Sequence, residues 1–178
     1  METLPALASQ VGIFPMPLPR RLLLVIAPHA ARPLMLELAA RAALGSPLRV
    51  LDGGNQFNVY PVAQELRRHT ADLRAALQRI HVARAFTCYQ MAALLEQSSP
   101  QAQPTLVLDL LATFYDEDVR VEEASQLLKG CLVDLLRLAQ AGPLLVSAKP
   151  PPEACTDRAA RARLLDQLRA TAAQVWEV

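Results

Sequence analysis

Residues 20–44 constrain the fold more than any other stretch, because they read as a strand, a tight loop and a helix in direct succession. Residues 21–26 form a run that is continuously apolar after Arg21, which is typical of a strand covered on both faces in a parallel sheet. After the loop, Leu34, Leu38 and Ala42 recur on one helical face. This pattern predicts an α/β fold that begins with a buried strand.

Strand and helix patterns alternate along the rest of the chain. Further strands are predicted at residues 48–51, 80–84, 105–108, 144–147 and 173–178, and helices at residues 59–77, 87–97, 121–140 and 157–170. The alternation predicts a mostly parallel central sheet with helices on both faces. We expect residues 20–178 to form a single domain, preceded by an extended, proline-rich segment at residues 1–19.

The amino-acid composition argues against several classes of protein. Hydrophobic residues make up 52% of the 178 residues, so a packed fold is expected rather than disorder. The net charge of +1 gives no general attraction to nucleic acid or to anionic lipid. No apolar run is long enough to span a membrane.

The cysteines are sparse and far apart. Cys88, Cys131 and Cys155 form no C-x-x-C pair, so a zinc or iron–sulfur site has no support. Cys88 and Cys131 lie on apolar faces and are expected in the core. This usage fits a reducing compartment, and we expect a cytoplasmic protein, or a nuclear one in a eukaryotic cell.

Polar or glycine-containing loops follow the predicted strands. Ligands of parallel α/β sheets bind beyond the carboxyl ends of the strands, where such loops converge. The loops expected to converge there are residues 27–32, the turn made by Asp52, Gly53, Gly54 and Asn55, residues 109–111 and residues 147–149. The glycines of the turn indicate positive φ angles or close backbone approach, which a demanding turn would need with or without a ligand.

The first of these loops has the spacing of a phosphate-binding loop without its chemistry. That loop has the pattern G-x-x-x-x-G-K-[S/T], in which backbone N–H groups surround phosphate and the Lys reaches further out. Ala27 stands at the first Gly and Arg32 at the second. Pro33 replaces the Lys, and Leu34 replaces the hydroxyl residue. We therefore expect the scaffold of an ATPase without an ordinary ATP site.

Later segments occur in the order found in one family of ATPases. They are LRVLDGGNQFNVYPVAQEL, HVARAFTCYQMAALLEQ, TLVLDLLATFY, and the helix at residues 122–140 followed by GPLLVSAKP. Over residues 20–149 the chain resembles the RecA-like ATPase core, and is most similar to the archaeal and eukaryotic strand-exchange recombinases and their paralogues. The resemblance implies a RecA-like P-loop NTPase fold.

Departures from the family pattern bear on activity. Asp109 matches the Walker B Asp, which in that family helps to hold Mg²⁺ through water. The catalytic Glu position falls on Gly54, and the polar sensor position falls near Ala148 and Lys149. The resemblance therefore implies a protein that catalyses no reaction and binds no metal or cofactor. Binding of ATP and Mg²⁺ is the disfavoured alternative. The vestigial nucleotide-binding positions would be Ala27, His29, Arg32, Pro33, Asp109 and Lys149.

Three functions follow as hypotheses. The first is a non-catalytic RecA-like interaction protein that docks to an active RecA-like ATPase, to another recombination or repair factor, or to itself. The second is a nucleotide-binding protein or weak ATPase with an altered site. The third is DNA binding through Arg-bearing helix faces, formed by Arg67, Arg68, His69 and Arg74 or by Arg158, Arg161, Arg163 and Arg169. The acidic run Asp116, Glu117 and Asp118 is expected to be a solvated loop rather than a metal site.

Overall fold

An entirely parallel sheet forms the centre of the structure, a computed structural model that describes residues 21–177. The extended segment expected at residues 1–19 lies outside these residues. The strands are β1 (Leu22–Ile26), β2 (Leu48–Asp52), β3 (Ile80–Arg84), β4 (Thr105–Leu108), β5 (Leu144–Ala148) and β6 (Gln174–Glu177). Their order across the sheet is β3-β2-β4-β5-β1-β6, and all neighbours pair in parallel. The expected α/β class with a parallel sheet is confirmed.

Helices connect the strands. They are α1 (Arg32–Gly45), α2 (Val59–Arg67), α3 (Leu73–Gln78), α4 (Cys88–Gln97), α5 (Val121–Ala141) and α6 (Arg158–Thr171), with short 3-10 turns at Pro28–Ala31 and Ala112–Tyr115. None of the helices within residues 21–177 is long and apolar enough to cross a membrane.

The prediction of a single helix at residues 59–77 is wrong, because the helical conformation is interrupted between α2 and α3. The Asp72 carboxylate accepts a hydrogen bond from Ala75 N at 3.0 Å and so caps a new helix. The Thr70 hydroxyl accepts one from Asp72 N at 3.1 Å. Such local side-chain acceptors compete with the helical hydrogen bonds of the backbone and stop the first helix.

The helices cover both faces of the sheet. On one face, α1 packs Leu34, Met35 and Leu38 against the strands, and α2 and α3 pack beside α1. On the other face, α4, α5 and α6 contribute a larger core that includes the buried thiols of Cys88 and Cys131. The core positions expected for these two cysteines are confirmed. Every residue of β1, β4 and β5 is buried, including Thr105 of β4 and Ser147 of β5. For β1, this confirms the burial on both faces that its apolar run predicts.

Neighbouring strands send their connections to opposite faces at three places. The chain leaves β1 toward α1 and leaves the adjacent β5 toward α6 on the other face. Likewise, β2 leads to α2, while its neighbours β3 and β4 lead to α4 and α5 on the other face. Diverging connections open a crevice at the carboxyl ends of such strands, and ligands of α/β sheets bind there.

Candidate functional site

Asp109 and Lys149 form an ion pair at the carboxyl ends of adjacent strands. Asp109 directly follows β4 and Lys149 directly follows β5, so the pairing of these strands brings the two residues together. Lys149 Nζ lies 2.9 Å from Asp109 Oδ2. The backbone N–H of Asp109 donates to the Ser147 hydroxyl at 3.0 Å, which fixes the aspartate in a left-handed conformation with φ 47°. The carboxylate that the resemblance matches to the Walker B position is thus paired with a cation of the same chain.

The Asp109 carboxylate depends on that cation because it is fully buried. Burial raises the pKa of Asp109 above its ordinary value, the charge of Asp52 raises it further, and Lys149 acts in the opposite direction. Oδ1 of Asp109 has no hydrogen-bond partner among residues 21–177. An ionised carboxylate in such surroundings is destabilising unless a positive charge compensates it.

Gly53 and Gly54 pack directly against Asp109. A Cβ on Gly54 would lie 2.6 Å from Asp109 Cβ and 2.7 Å from its Oδ2. A Cβ on Gly53 would lie 2.7 Å from Met91 Cε and 3.0 Å from Asp109 O. Positive φ falls on Asn55, at 52°, and on none of the described glycines. The close approach of Asp109 and Met91 therefore explains why both positions are glycine. The two glycines give no separate indication of a ligand.

The buried carboxylate of Asp52 orders the same turn. It accepts backbone hydrogen bonds from Gln56 N at 2.8 Å and Phe57 N at 2.9 Å. Arg84 Nε lies 3.2 Å from Asp52 Oδ2, and Arg84 Nη2 donates to Phe57 O at 2.9 Å. Asp52 thus acts as an internal acceptor that holds the turn against β3.

The loop after β1 engages several of its N–H groups within the chain. The N–H of Ala27 donates to Ala148 O at 3.2 Å, and that of Ala30 donates to Ala27 O at 3.0 Å. The N–H of Arg32 donates to His29 O. These donors are therefore not available to an anion in this conformation.

Two prolines and a left-handed turn complete this loop. Pro28 and Pro33 have no N–H to donate. His29, Ala30 and Ala31 have φ angles of 53°, 51° and 51°. Left-handed conformations cost non-glycine residues about 1–2 kcal/mol each. The methyl groups of Ala30 and Ala31 are buried and offset part of that cost.

A cavity of about 690 Å³ lies beside this loop, in the crevice between β1 and β5. Its lining comprises Ile26, Ala27, Pro28, His29, Lys149, Pro150, Pro151, Pro152, Glu153, Arg158 and Glu177. Two of the charged groups are already paired, because Lys149 contacts Asp109 and Glu177 contacts Arg169 at 2.8 Å. Arg158 and Glu153 have opposite charges, so the lining carries no strong excess of either sign.

The expected nucleotide-binding positions are thus only partly brought together. Ala27, His29 and Lys149 line the cavity. Arg32 and Pro33 are exposed at the start of α1 and lie outside the lining.

Arg161 holds the loop that follows β4, a role that the sequence analysis missed. It is 3% exposed, and its guanidinium donates to Phe114 O at 2.7 Å and Val119 O at 2.8 Å. Its assignment to an exposed, phosphate-binding face is therefore wrong. The signal was in the sequence, because Arg161 precedes Leu164 and Leu168 by one and two helical turns and shares their buried face.

The loops after β4 and β5 are also joined to each other. The Tyr115 hydroxyl donates to Lys149 O at 3.0 Å, and the Thr156 N–H donates to the Glu117 carboxylate. The Tyr115 contact holds the backbone of Lys149 beside Asp109. Burial raises the pKa of the Tyr115 phenol, which keeps it protonated as a donor.

The Arg residues of α2 and α3 and the acidic run at residues 116–118 lie on the surface. Arg67, Arg68 and Arg74 are exposed, and Arg68 Nη1 lies 2.9 Å from Glu65 Oε2. The acidic residues 116–118 are exposed, as expected for a solvated loop. Among residues 21–177, no group of His, Cys, Asp or Glu side chains has an arrangement that could hold a metal ion.

Comparisons with models of protein families and with curated protein sequences give no match to this chain. The geometry of the loops is therefore what bears on function.

Proposed function

We propose that this chain is a non-catalytic RecA-like protein, a degenerate relative of the strand-exchange recombinases that serves as a partner subunit in DNA recombination or repair. Its parallel sheet supports this proposal, because the loops that resemble the phosphate loop and the Walker B segment both lie at the carboxyl edge. In an active member of that family, the groups at these positions would contact Mg²⁺ and triphosphate. In this chain, they contact other residues of the same chain.

The Asp109–Lys149 ion pair is the observation that carries the proposal. Mg²⁺ prefers carboxylate and water oxygens in a nearly ideal octahedron. At this position the ammonium of Lys149 lies 2.9 Å from the carboxylate, and the backbone at Gly54 leaves no space on the other side. A hydrated Mg²⁺ would have to displace Lys149, so these residues do not fit the metal.

The loop after β1 fits triphosphate equally poorly. Catalysis of phosphoryl transfer needs a Lys, a metal and a water-positioning group together. Pro33 stands at the Lys position and Gly54 at that of the water-positioning Glu. Removing one such stabilising donor typically costs about 2.7–4 kcal/mol of transition-state stabilisation. Loss of several should leave hydrolysis near background.

Purification of the tagged chain from its own cells tests the proposed function. We expect a RecA-like ATPase or another recombination or repair protein to co-purify in a fixed ratio and to remain bound through gel filtration. The tag alone serves as the control for non-specific capture. Recovery of the chain as a stable monomer without such a partner would contradict the proposal.

The cavity beside β1 favours one second candidate, the binding of a small phosphate-containing ligand. His29, Lys149 and Arg158 are among its lining residues, and the Lys149 ammonium is the one paired with Asp109. This candidate predicts a higher melting temperature with millimolar pyrophosphate or ATP, without a requirement for Mg²⁺, and loss of that effect in Arg158→Ser. An unchanged melting temperature with both ligands would eliminate it.

A further inference from the structure

A groove runs between α4 and α5 on the surface opposite α1. We call it the α4–α5 groove and define it by Ala92 and Glu96 on α4 and by Glu123, Leu127, Gly130 and Val133 on α5. Its volume is about 630 Å³. Residues 123–133 span about 15 Å of helix, so the groove has the length of about three helical turns.

The floor of the groove is apolar and open. Val133 is 68% exposed, although a β-branched apolar side chain gains nothing from that position in the free protein. Gly130 lies in the interior of α5, and no atom lies within 4 Å of a Cβ placed on it. Because a glycine inside a helix costs about 1 kcal/mol relative to alanine, internal packing gives no reason for its presence. The surface of α5 is therefore open to close approach at Gly130.

The rim of the groove is acidic. Glu96 and Glu123 form no ion pair within residues 21–177, and Glu123 Oε1 accepts a hydrogen bond at 2.7 Å from the uncharged Tyr89 hydroxyl, which leaves its negative charge uncompensated. Asp134, by contrast, is paired with Arg137 at 2.9 Å. The uncompensated charge around the apolar floor is therefore negative at both ends.

We infer that the α4–α5 groove is the docking site for a helix of a partner protein that presents apolar side chains flanked by Lys or Arg. An amphipathic helix places apolar anchors in such a groove, while complementary charges on the rim steer it and set its orientation. This inference rests on the proposed function, since it names the chemistry of the partner that the function requires.

A pair of designed peptides tests the charge and the location together. One peptide forms about three to four helical turns with Leu and Ala on one face and Lys beside them, and the other carries Glu in place of Lys. Nuclear magnetic resonance of the isotopically labelled full chain should show that the Lys peptide shifts the signals of Ala92, Gly130 and Val133. The Glu peptide should leave them unchanged, and Glu96→Lys with Glu123→Lys should reverse the preference. No binding, equal binding of both peptides, or shifts confined to other surfaces would overturn the inference.

Two variants of α5 provide a matched control. Val133→Arg places a charge inside the groove and should weaken binding of the Lys peptide about tenfold, the effect of a typical interface anchor. Leu136→Arg changes another exposed apolar residue of the same helix, outside the groove lining, and should leave binding unchanged. Equal weakening by both variants, with unchanged circular dichroism, would contradict the location.

The groove and the proposed function can fail separately. If Val133→Arg leaves the natural partner bound in the purification described above, only the groove assignment fails. If the chain has no partner at all, the proposed function fails as well. A doubled mass in light scattering that Val133→Arg abolishes would identify a second copy of this chain as the occupant, and would overturn the assignment to a different, basic partner.

Discussion

At the scale of residues, the ion pair between Asp109 and Lys149 connects stability with the proposed loss of catalysis. Removing one member of a buried pair typically costs about 3–5 kcal/mol, because the other charge is left uncompensated. The Lys149 side chain is 32% exposed, so we expect the lower end of that range. Lys149→Met should therefore lower the free energy of unfolding by about 3 kcal/mol at neutral pH in urea denaturation.

The pH dependence of that loss provides a second prediction. Because the folded-state pKa of Asp109 is raised, the folded protein binds more protons than the unfolded chain above the ordinary carboxyl pKa. Stability contributed by Asp109 therefore falls as pH rises from about 4 through the raised pKa. Lys149→Met raises that pKa further, so its deficit should be small near pH 4 and grow toward neutral pH.

The control for this prediction is Asp109→Asn in the Lys149→Met background. Asparagine tolerates the left-handed backbone at this position and carries no charge to compensate. We expect the double variant to recover most of the lost stability and to show no growing deficit with pH. A deficit of equal size at pH 4 and pH 7 would contradict the electrostatic explanation.

Substitution of glycine by alanine should have opposite effects on stability in the packed turn and in the open groove. Gly54→Ala should lower the free energy of unfolding by about 1–3 kcal/mol, because its Cβ would overlap Asp109. Gly130→Ala should raise it by about 0.5–1 kcal/mol, because the added methyl group meets open space and favours the helix. Chemical denaturation of both variants checks the pair. A stable Gly54→Ala variant would show that the contact with Asp109 is not tight.

At the scale of elements, helix α6 fixes the loop after β4 through Arg161. Arg161→Met should lower the free energy of unfolding by about 2–3 kcal/mol, since it leaves the carbonyls of Phe114 and Val119 without their charged donor. Arg163→Met on the exposed side of the same helix is the matched control and should change stability by less than about 0.5 kcal/mol. Similar losses in both variants would point to a general effect of charge on α6.

The elements themselves were largely predictable where burial leaves a simple pattern. Every residue of β1 and β4 is buried because helices cover both faces, and the apolar runs 22–26 and 106–108 indicate where these strands lie. The break between α2 and α3 depends on the Asp72 cap, which the helical periodicity of its neighbours obscured. Local capping chemistry, rather than periodicity, decides such boundaries.

The site was less predictable than the strands, because its contacts depend on the order of strands in the sheet. The sequence indicated that the loops containing Asp109 and Lys149 would converge, but nothing in either segment specifies that β4 lies beside β5. Contact of Gly54 with Asp109 likewise requires β2 to lie on the other side of β4. The sequence indicates that a glycine is needed at this position. Which residue packs against that glycine is determined by the tertiary structure.

At the scale of the whole molecule, the crevice between β2 and β4 and the crevice between β1 and β5 have different contents. The crevice between β2 and β4 is filled by Asp109 against the glycine turn. The crevice between β1 and β5 keeps a cavity, but its lining has both signs of charge and few free backbone donors. The α4–α5 groove lies away from both crevices, so a partner could dock there without contacting either crevice.

The thermal stability of the chain with ATP and Mg²⁺ is the most direct test of the central claim, which is that internal contacts have replaced the triphosphate site. Ligand at 100 times its dissociation constant stabilises a protein by about 2.7 kcal/mol, which would raise the melting temperature of a chain of this size by several degrees. The account predicts no change with millimolar ATP and Mg²⁺. A Mg²⁺-dependent rise that disappears in Asp109→Asn would contradict it.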